Sequence, residues 1–338
     1  MGITQKQLAE LAKVSMATVS LALNGSTVVA EKTREKILQL ALKHNYQPNL
    51  VARSLAGGRS RLLGVLIDSR APRVQFQLLG LIEREASQFG YRVMIGEAHD
   101  NIEHLAQMCQ TLCQYGAEGI VCLAHDYPGQ QEQLQNYFHD YRNLIFIGNP
   151  HLSNASYVDV DRAGSMAEAI HHLHDQGYKH IGMTCSAEGY QSDNAKVEAF
   201  LKVHHELGTS SPEKLIFHLD SPYTEELLSG TFLKRVKSGS LDALVANNDV
   251  ESARIAKFLM GKGFKIPADF GLVGFDDEPF CEFTTPELSS INDGIQLQAK
   301  HAVRILLEMI AEKDTEQVKR TLTVHSNLVI RSSSLRKG

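Results

Sequence analysis

The sequence predicts an all-α helix-turn-helix head followed by an α/β body made of two parallel-sheet lobes. Short amphipathic helical patterns fill the stretch before Pro48, whereas short continuous apolar runs alternate with longer helical patterns from Leu62 onward. Continuous apolar strands alternating with helices are typical of parallel sheets. The number of apolar runs exceeds what one open sheet usually carries, so we expect two lobes.

Charge is divided unevenly along the 338 residues. Residues 1–61 contain nine basic and three acidic residues and therefore carry +6, which leaves −11 for the remainder of a chain whose net charge is −5. A small basic segment on a large acidic remainder is typical of a protein in which one domain meets phosphates.

The basic segment is predicted to hold three helices. The first begins at Thr4, and the second has Ser15 as its N-cap and ends at Asn24-Gly25. The third runs from about Ala30 to His44. Two short helices joined by a tight turn and braced by a third form a helix-turn-helix domain, in which all three share one small core.

The second helix presents an uncharged face. Its outward residues are Met16, Ala17, Ser20 and Leu21. In a helix-turn-helix this side enters the major groove, where apolar side chains contact thymine methyls and the hydroxyls of Ser15, Thr18 and Ser20 reach phosphates or base edges. An apolar helix face is more often packed, so the same residues could instead cover a neighbouring domain. The helix alone favours neither interpretation.

A short helical pattern over 50–56 separates the head from the first apolar run. Pro48 ends the preceding element, Asn49 is the predicted N-cap, and Gly57-Gly58 terminate the pattern. A helix of this length is unstable in isolation, so it could fold on contact with DNA or a second copy of the chain.

The segment TQKQLAELAKVSMATVSLALNG, continued by TREKILQLALKHNYQPNLVARSLAGGRS, resembles the head and hinge of the LacI/GalR family of bacterial repressors. The resemblance implies that hinge helices of two chains pair over the minor groove, where Leu55 wedges open a base step beside Ala52 and Arg53. The DNA-binding residues implied are Thr4, Ser15, Met16, Ala17, Thr18, Ser20, Leu21, Asn24, Tyr46, Asn49, Ala52, Arg53 and Leu55.

The head departs from this family at two positions. Lys13 stands where the family turn usually has Gly, and a lysine in a left-handed turn is unfavourable. Leu21 stands where many members carry an Arg that reads guanine. The operator preference therefore cannot be carried over from a familiar member.

The body begins with LLGVLID and continues with YRVMIGEA, GIVCLA, LIFIG, GYKHIGMTC, KLIFHL, ALVANND and FGLVGFDD. Helices are predicted between these runs, among them one over 78–89 and one over 102–115. No P-loop and no GxGxxG motif opens a helix, so no nucleotide cofactor is predicted. Cys109 and Cys113 lie one turn apart without a matching ligand pair, and we predict no metal site.

The body resembles the effector-binding part of the same family, which is similar to periplasmic sugar-binding proteins. The resemblance rests on VDVDRAG, LVANNDVESA, FGLVGFDDEPF and TTPELSSI. It implies a ligand between the lobes, at the carboxyl ends of the strands. Asn248, Asp249 and Asp276 would hydrogen-bond hydroxyls or amines of that ligand. For Asp276 and Asp277 the alternative is a cap at a strand-end turn.

Two departures concern the charge of the effector. Lys196 replaces the family Arg of an RxxGF helix, and Arg73 stands where aromatic residues often follow a proline. With Arg70 nearby, these residues suggest an anionic effector such as a sugar phosphate or sugar acid. The alternative is that Arg70 and Arg73 face solvent. The predicted effector-binding residues are Arg73, Lys196, Asn248, Asp249 and Asp276.

The predicted organisation is a DNA-binding domain over 1–47, a hinge over 48–60 and an effector-binding and dimerisation domain over 61–338. Lobe one covers about 61–159 and 291–321, and lobe two about 160–290 and 322–338. The chain lacks the leucine heptad tail of the family's tetramers, so we expect a homodimer. Five scattered cysteines indicate a reducing cytoplasm, and no membrane span is expected.

The predicted function is sequence-specific transcriptional regulation, as a repressor controlled by a small molecule, a sugar or sugar derivative. The alternative is a ligand-binding protein without a DNA-dependent role. Enzymatic activity is not expected, because Ser186, His180 and Asp193 lack a motif such as GxSxG.

Overall fold

The computed structural model describes residues 3–23, 25–46, 59–68, 72–124, 126–186, 189–219, 228–312 and 318–336. The chain forms two compact units, Met1–Ser60 and Arg61–Gly338, which we call the head and the body. No helix in the described ranges is long and apolar enough to span a membrane.

The head contains the three predicted helices, α1 (Gln5–Ala12), α2 (Met16–Leu23) and α3 (Glu31–Lys43). Leu8, Val19 and Ile37, one from each helix, meet in a shared core and have no exposed surface. None of these helices buries enough apolar surface alone, so this shared core holds the head together.

The helix starts in the head follow the predicted caps. Thr4 and Gln7 form a reciprocal capping box, in which the N–H of Gln7 donates to Thr4 Oγ1 at 3.2 Å. Ser15 Oγ accepts from the N–H of Thr18 at 3.1 Å, which caps α2. Lys13 ends α1 in the left-handed conformation that its position predicts, with φ of 59°.

The body contains two six-stranded sheets, each forming one lobe. The strands of lobe one, in spatial order, are β11 (Thr321–Val324), β5 (Ser156–Val160), β4 (Leu144–Ile147), β3 (Gly119–Cys122), β1 (Leu62–Ile67) and β2 (Arg92–Glu97). Those of lobe two are β12 (Asn327–Val329), β10 (Ser289–Asn292), β9 (Gly271–Phe275), β8 (Ala243–Val245), β6 (Ile181–Cys185) and β7 (Ile216–His218). Every pairing is parallel except β10 with β12, so the predicted parallel-sheet body is confirmed.

Helices cover both sheets. They are α4 (Pro72–Gln88), α5 (Ile102–Gln114), α6 (Gln131–Phe138), α7 (Arg162–Asp175), α8 (Gln191–Glu206), α9 (Leu233–Ser238), α10 (Asp249–Gly261) and α11 (Ile295–Ala311). Helix α4 starts six residues before the predicted Leu78, because Gln75 in its first turn is held by the strand end. The N–H of Asp68 donates to Gln75 Oε1 at 2.8 Å, and Gln75 Nε2 donates to Asp68 Oδ1 at 3.0 Å.

The chain crosses between the lobes three times, after Val160, after Asn292 and after Val324. The second and third crossings lie later than the predicted bounds at about 290 and 321. The reason is strand pairing: β10 pairs with β9 and β12 in lobe two up to Asn292, and β11 pairs with β5 in lobe one up to Val324.

Candidate DNA-binding surface and effector cleft

The outward face of α2 is a surface of the head. Met16 is 51% exposed and Leu21 is 42% exposed, and Ala17 between them is also exposed. Val19 and Ala22 on the opposite face are buried. The apolar face of α2 is therefore separate from the head core.

The polar residues of this region have mixed roles. The hydroxyls of Ser15 and Thr18 lie 2.8 Å apart and hydrogen-bond to each other, and Ser20 is partly exposed. Tyr46 packs against the head core, and burial raises the pKa of its phenol. The predicted contacts Asn24, Asn49, Ala52, Arg53 and Leu55 lie outside the described residues.

The head carries several exposed lysines. The exposed lysines are Lys6, Lys13, Lys32, Lys36 and Lys43. Among the described cations of the head, Arg34 is neutralised by Glu31 at 2.8 Å, and Lys36 Nζ donates to the carbonyl of Ala12 at 3.0 Å. The remaining lysines supply the sequence-independent attraction to phosphates that DNA-binding domains need.

In lobe two, Lys196 lies buried near the carboxyl ends of the strands. Its Nζ donates to Asn247 Oδ1 at 2.7 Å, lies 3.8 Å from Asp193 Oδ1, and stacks 4.3 Å from the centre of the Phe275 ring. The ammonium is thus held by groups of its own lobe. Its positive charge still acts on the carboxyls of Asp276 and Asp293.

Each residue of the NND motif has a different role. Asn247 holds Lys196, and Asn248 Oδ1 accepts from the N–H of Glu251 at 2.9 Å as the N-cap of α10. Asp249 has no exposed surface; it accepts from Ser290 Oγ at 2.6 Å and from the N–H of Glu278 at 2.7 Å. Both oxygens of Asp249 are thus used within lobe two, and its contact with the effector stays a prediction.

Asp276 and Asp277 also differ in their hydrogen bonds. Asp277 accepts from Asn292 Nδ2 at 2.9 Å and pairs with Arg331 at 2.8 Å, which is the structural role of the alternative interpretation. The carboxyl of Asp276 has no hydrogen bond among the described residues. Its backbone φ of 97° is rare for a residue with a side chain. Burial, together with the nearby carboxyl of Asp293, raises the pKa of Asp276 to about 8.

Asp293 was not predicted. It follows β10, the neighbour of β9, and its Oδ1 is buried without a hydrogen-bond partner among the described residues. Burial raises the pKa of Asp293, while Arg162 and Lys196 lower it. The available signal was its place directly after the segment TTPELSSIN, whose last four residues form β10.

Hydrogen bonds from two loops join the lobes. Gln77 Nε2 on α4 donates to Glu278 Oε2 after β9 at 3.2 Å. Asp126 after β3 accepts from the N–H of Gln191 and of Ser192, each at 3.0 Å. Both sets of bonds connect a residue of lobe one with a residue of lobe two.

The structure describes two of the three basic residues from which an anionic effector is predicted. Arg73 is exposed and lies 5.9 Å from the ring of Phe280, and the charge of Lys196 is committed to Asn247 and Asp193. Arg70 lies outside the described residues. In the described part of the cleft, carboxylates outnumber cations.

Two family models match the chain. The model of bacterial regulatory proteins of the lacI family matches residues 4–49, and that of the periplasmic binding protein-like domain matches residues 170–334. The first covers the three helices of the head, and the second covers most of lobe two.

Curated relatives match nearly end to end. The HTH-type transcriptional repressor PurR of Haemophilus influenzae (strain PittEE) is 25% identical, with 98% of each chain covered. The ribose operon repressor of Bacillus subtilis (strain 168) is 28% identical, with 92% of each chain covered.

Solved structures share the fold. The lac repressor dimer bound to operator and the anti-inducer ONPF aligns over 99% of this chain and 100% of that chain, with a TM-score of 0.84 and 22% identity. A complex of the transcriptional regulator CelR with cellobiose aligns over 98% of this chain and 99% of that chain, with a TM-score of 0.68 and 22% identity.

A helix-turn-helix head with an exposed reading face, followed by a two-lobed body with polar groups at its strand ends, defines a bacterial regulatory protein with a ligand-binding domain. Residues 4–49 match the lacI family of bacterial regulatory proteins, and nearly the whole chain is similar to the repressors PurR and the ribose operon repressor.

Proposed function

We propose that this protein is a transcriptional repressor that binds operator DNA through α2 of its head and is controlled by a small molecule held between the two lobes of its body. The exposed apolar face of α2 is the observation that carries this proposal. The curated relatives PurR and the ribose operon repressor, both named as repressors, support it. The five cysteines are free and four are buried, which favours the reducing cytoplasm as its location.

The decisive experiment is a gel shift with the full chain on DNA from upstream of its own gene, over a salt series. We expect sequence-selective binding whose affinity falls steeply as salt rises, because lysines release counterions from the phosphates. Met16→Ala with Leu21→Ala should abolish selectivity. Leu42→Ala, at an exposed leucine of α3, is the matched control.

A ligand-binding protein without a DNA-dependent role makes the opposite prediction. Binding that ignores sequence at every salt concentration would favour that alternative. Loss of selectivity can be distinguished from unfolding of the head. An unfolded head would lose all binding, including the salt-sensitive, non-selective part, and the control variant should keep both parts.

We also propose that the protein acts as a homodimer. Phe283 is 82% exposed and Phe76 on α4 is 60% exposed, and large exposed aromatics of this kind commonly mark an interface. Sedimentation velocity should give a dimer that Phe76→Asp or Phe283→Asp weakens. Met260→Asp, at an exposed methionine of α10, should leave the dimer intact, and a stable tetramer would contradict the proposal.

A further inference from the structure

Two carboxyl groups of lobe two, those of Asp276 and Asp293, lie close enough to interact electrostatically. Asp276 follows β9 and Asp293 follows β10, and these are adjacent parallel strands, so both residues lie at the same edge of the sheet. Neither carboxyl has a hydrogen bond among the described residues, and Oδ1 of Asp293 is buried.

The cations nearest to this pair are bound elsewhere. Arg162 donates to Asp159 Oδ1 at 2.6 Å, and Lys196 donates to Asn247. Arg162 still acts electrostatically on Asp293, and Lys196 acts on both carboxyls. The charged groups that face the pair from the surrounding elements are Asp159, Asp249, Glu278, Arg162 and Lys196. Even with both cations counted, this set and the pair carry an excess of negative charge.

A buried carboxylate without a partner is unfavourable, and two neighbouring carboxylates repel each other. The pair therefore retains a proton, which agrees with the raised pKa of Asp276 at about 8. A bound cation would remove this repulsion and supply the missing donors. A neutral hydroxyl would supply a donor and leave the repulsion, and a phosphate would increase it.

We propose that the effector carries a protonated amine, which binds between the carboxylates of Asp276 and Asp293. This inference rests on the proposed function, because it names the class of ligand for the same cleft. On binding, the ammonium N–H groups donate to both carboxylates. The proton held by the pair leaves to the buffer, and the complex contains two carboxylates and one ammonium.

Release of this proton on binding distinguishes an amine from a neutral or an anionic ligand. Isothermal titration of the full chain at pH 7, in two buffers of different ionisation enthalpy, measures protons released per ligand bound. The probes are glucosamine, galactosamine and putrescine as amines, glucose and galactose as neutral counterparts, and glucose 6-phosphate as an anion. We expect an amine to bind at least about tenfold more tightly than its uncharged counterpart and to release a proton.

Tighter binding of a neutral sugar or of the phosphate would overturn the proposal, and so would the absence of binding by all three amines. Asp293→Asn should weaken amine binding at least about tenfold, since it removes one of the two charges. Asp175→Asn, on the exposed end of α7, is the matched control and should change nothing. Thermal unfolding of each variant checks that it is folded.

The gel shift without any ligand keeps the two proposals distinguishable. Selective operator binding by a protein that ignores all amines would leave the proposed function intact and remove only the amine. A protein that binds an amine but no operator would contradict the proposed function and leave the amine proposal intact.

Discussion

Asp126 of lobe one caps a helix of lobe two through Ser192. Both the backbone N–H and the hydroxyl of Ser192, in the first turn of α8, donate to Asp126 Oδ2 at 3.0 Å. The N-terminus of a helix attracts negative charge, so this contact combines hydrogen bonds with attraction to the helix dipole. One lobe thus provides the cap for a helix of the other.

Asp126→Asn should loosen this contact, because it removes the charge and one accepting oxygen. We expect the attraction between the lobes to fall by about 1–2 kcal/mol. Hydrogen exchange at the amides of Gln191 and Ser192 should accelerate about tenfold. Asp140→Asn is the control, since that side chain is 87% exposed. Unchanged protection at both amides would show that Asp126 does not hold the lobes.

Asp276 should lower the stability of the body as pH rises. Its folded pKa of about 8 lies above its unfolded value, so its contribution is complete below about pH 4 and is lost as pH rises through 8. Asp276→Asn, which cannot ionise, should therefore match the parent protein near pH 4. By pH 9 it should be more stable by several degrees in thermal unfolding. A gain of equal size at both pH values would argue against this origin.

Leu21→Arg should change which operator the protein prefers. The side chain is 42% exposed on α2, where an arginine could donate two hydrogen bonds to guanine in the major groove. Selection from a randomised operator library should recover a guanine at one position per half-site, favoured by about 1–3 kcal/mol. Leu42→Arg adds the same charge at an exposed leucine of α3 and should raise affinity without changing the preference. An unchanged preference in Leu21→Arg would place residue 21 away from the bases.

Lys13→Gly should stabilise the head. Lys13 ends α1 with φ of 59°, a conformation that costs about 1–2 kcal/mol for a residue with a side chain. Part of that gain is offset by the larger entropy of glycine in the unfolded chain, so we expect a net gain of about 1 kcal/mol. Thermal unfolding of the head within the full chain measures it. Lys13→Ala keeps the strain and should show no comparable gain.

Local signals in the sequence predicted much of the fold. Thr4 and Ser15 cap helices because their side-chain oxygens accept from the free backbone N–H three residues later. Such a cap can be predicted from a few neighbouring residues. Long apolar runs such as LLGVLI became central strands because a parallel sheet covered on both faces needs continuous apolar residues.

Strand β10 could not be predicted in this way, because its interior is polar. Ser289 donates to the carbonyl of Arg331 at 2.9 Å and Ser290 donates to Asp249 at 2.6 Å, so distant residues make these serines compatible with burial. The position of Asp293 depends on the same strand, and the role of Asp249 depends on its contact with Ser290. Partners about forty residues apart leave no local pattern.

The three crossings between the lobes limit how the body can move. The first and third are joined to each other, since Ser165 and Ser326 hydrogen-bond and Ser326 also donates to the carbonyl of Asp161 at 3.4 Å. Lobe two is therefore tethered to lobe one by three lengths of chain, and loss of the contacts that Asp126 and Gln77 make would change the spacing of the lobes without separating them.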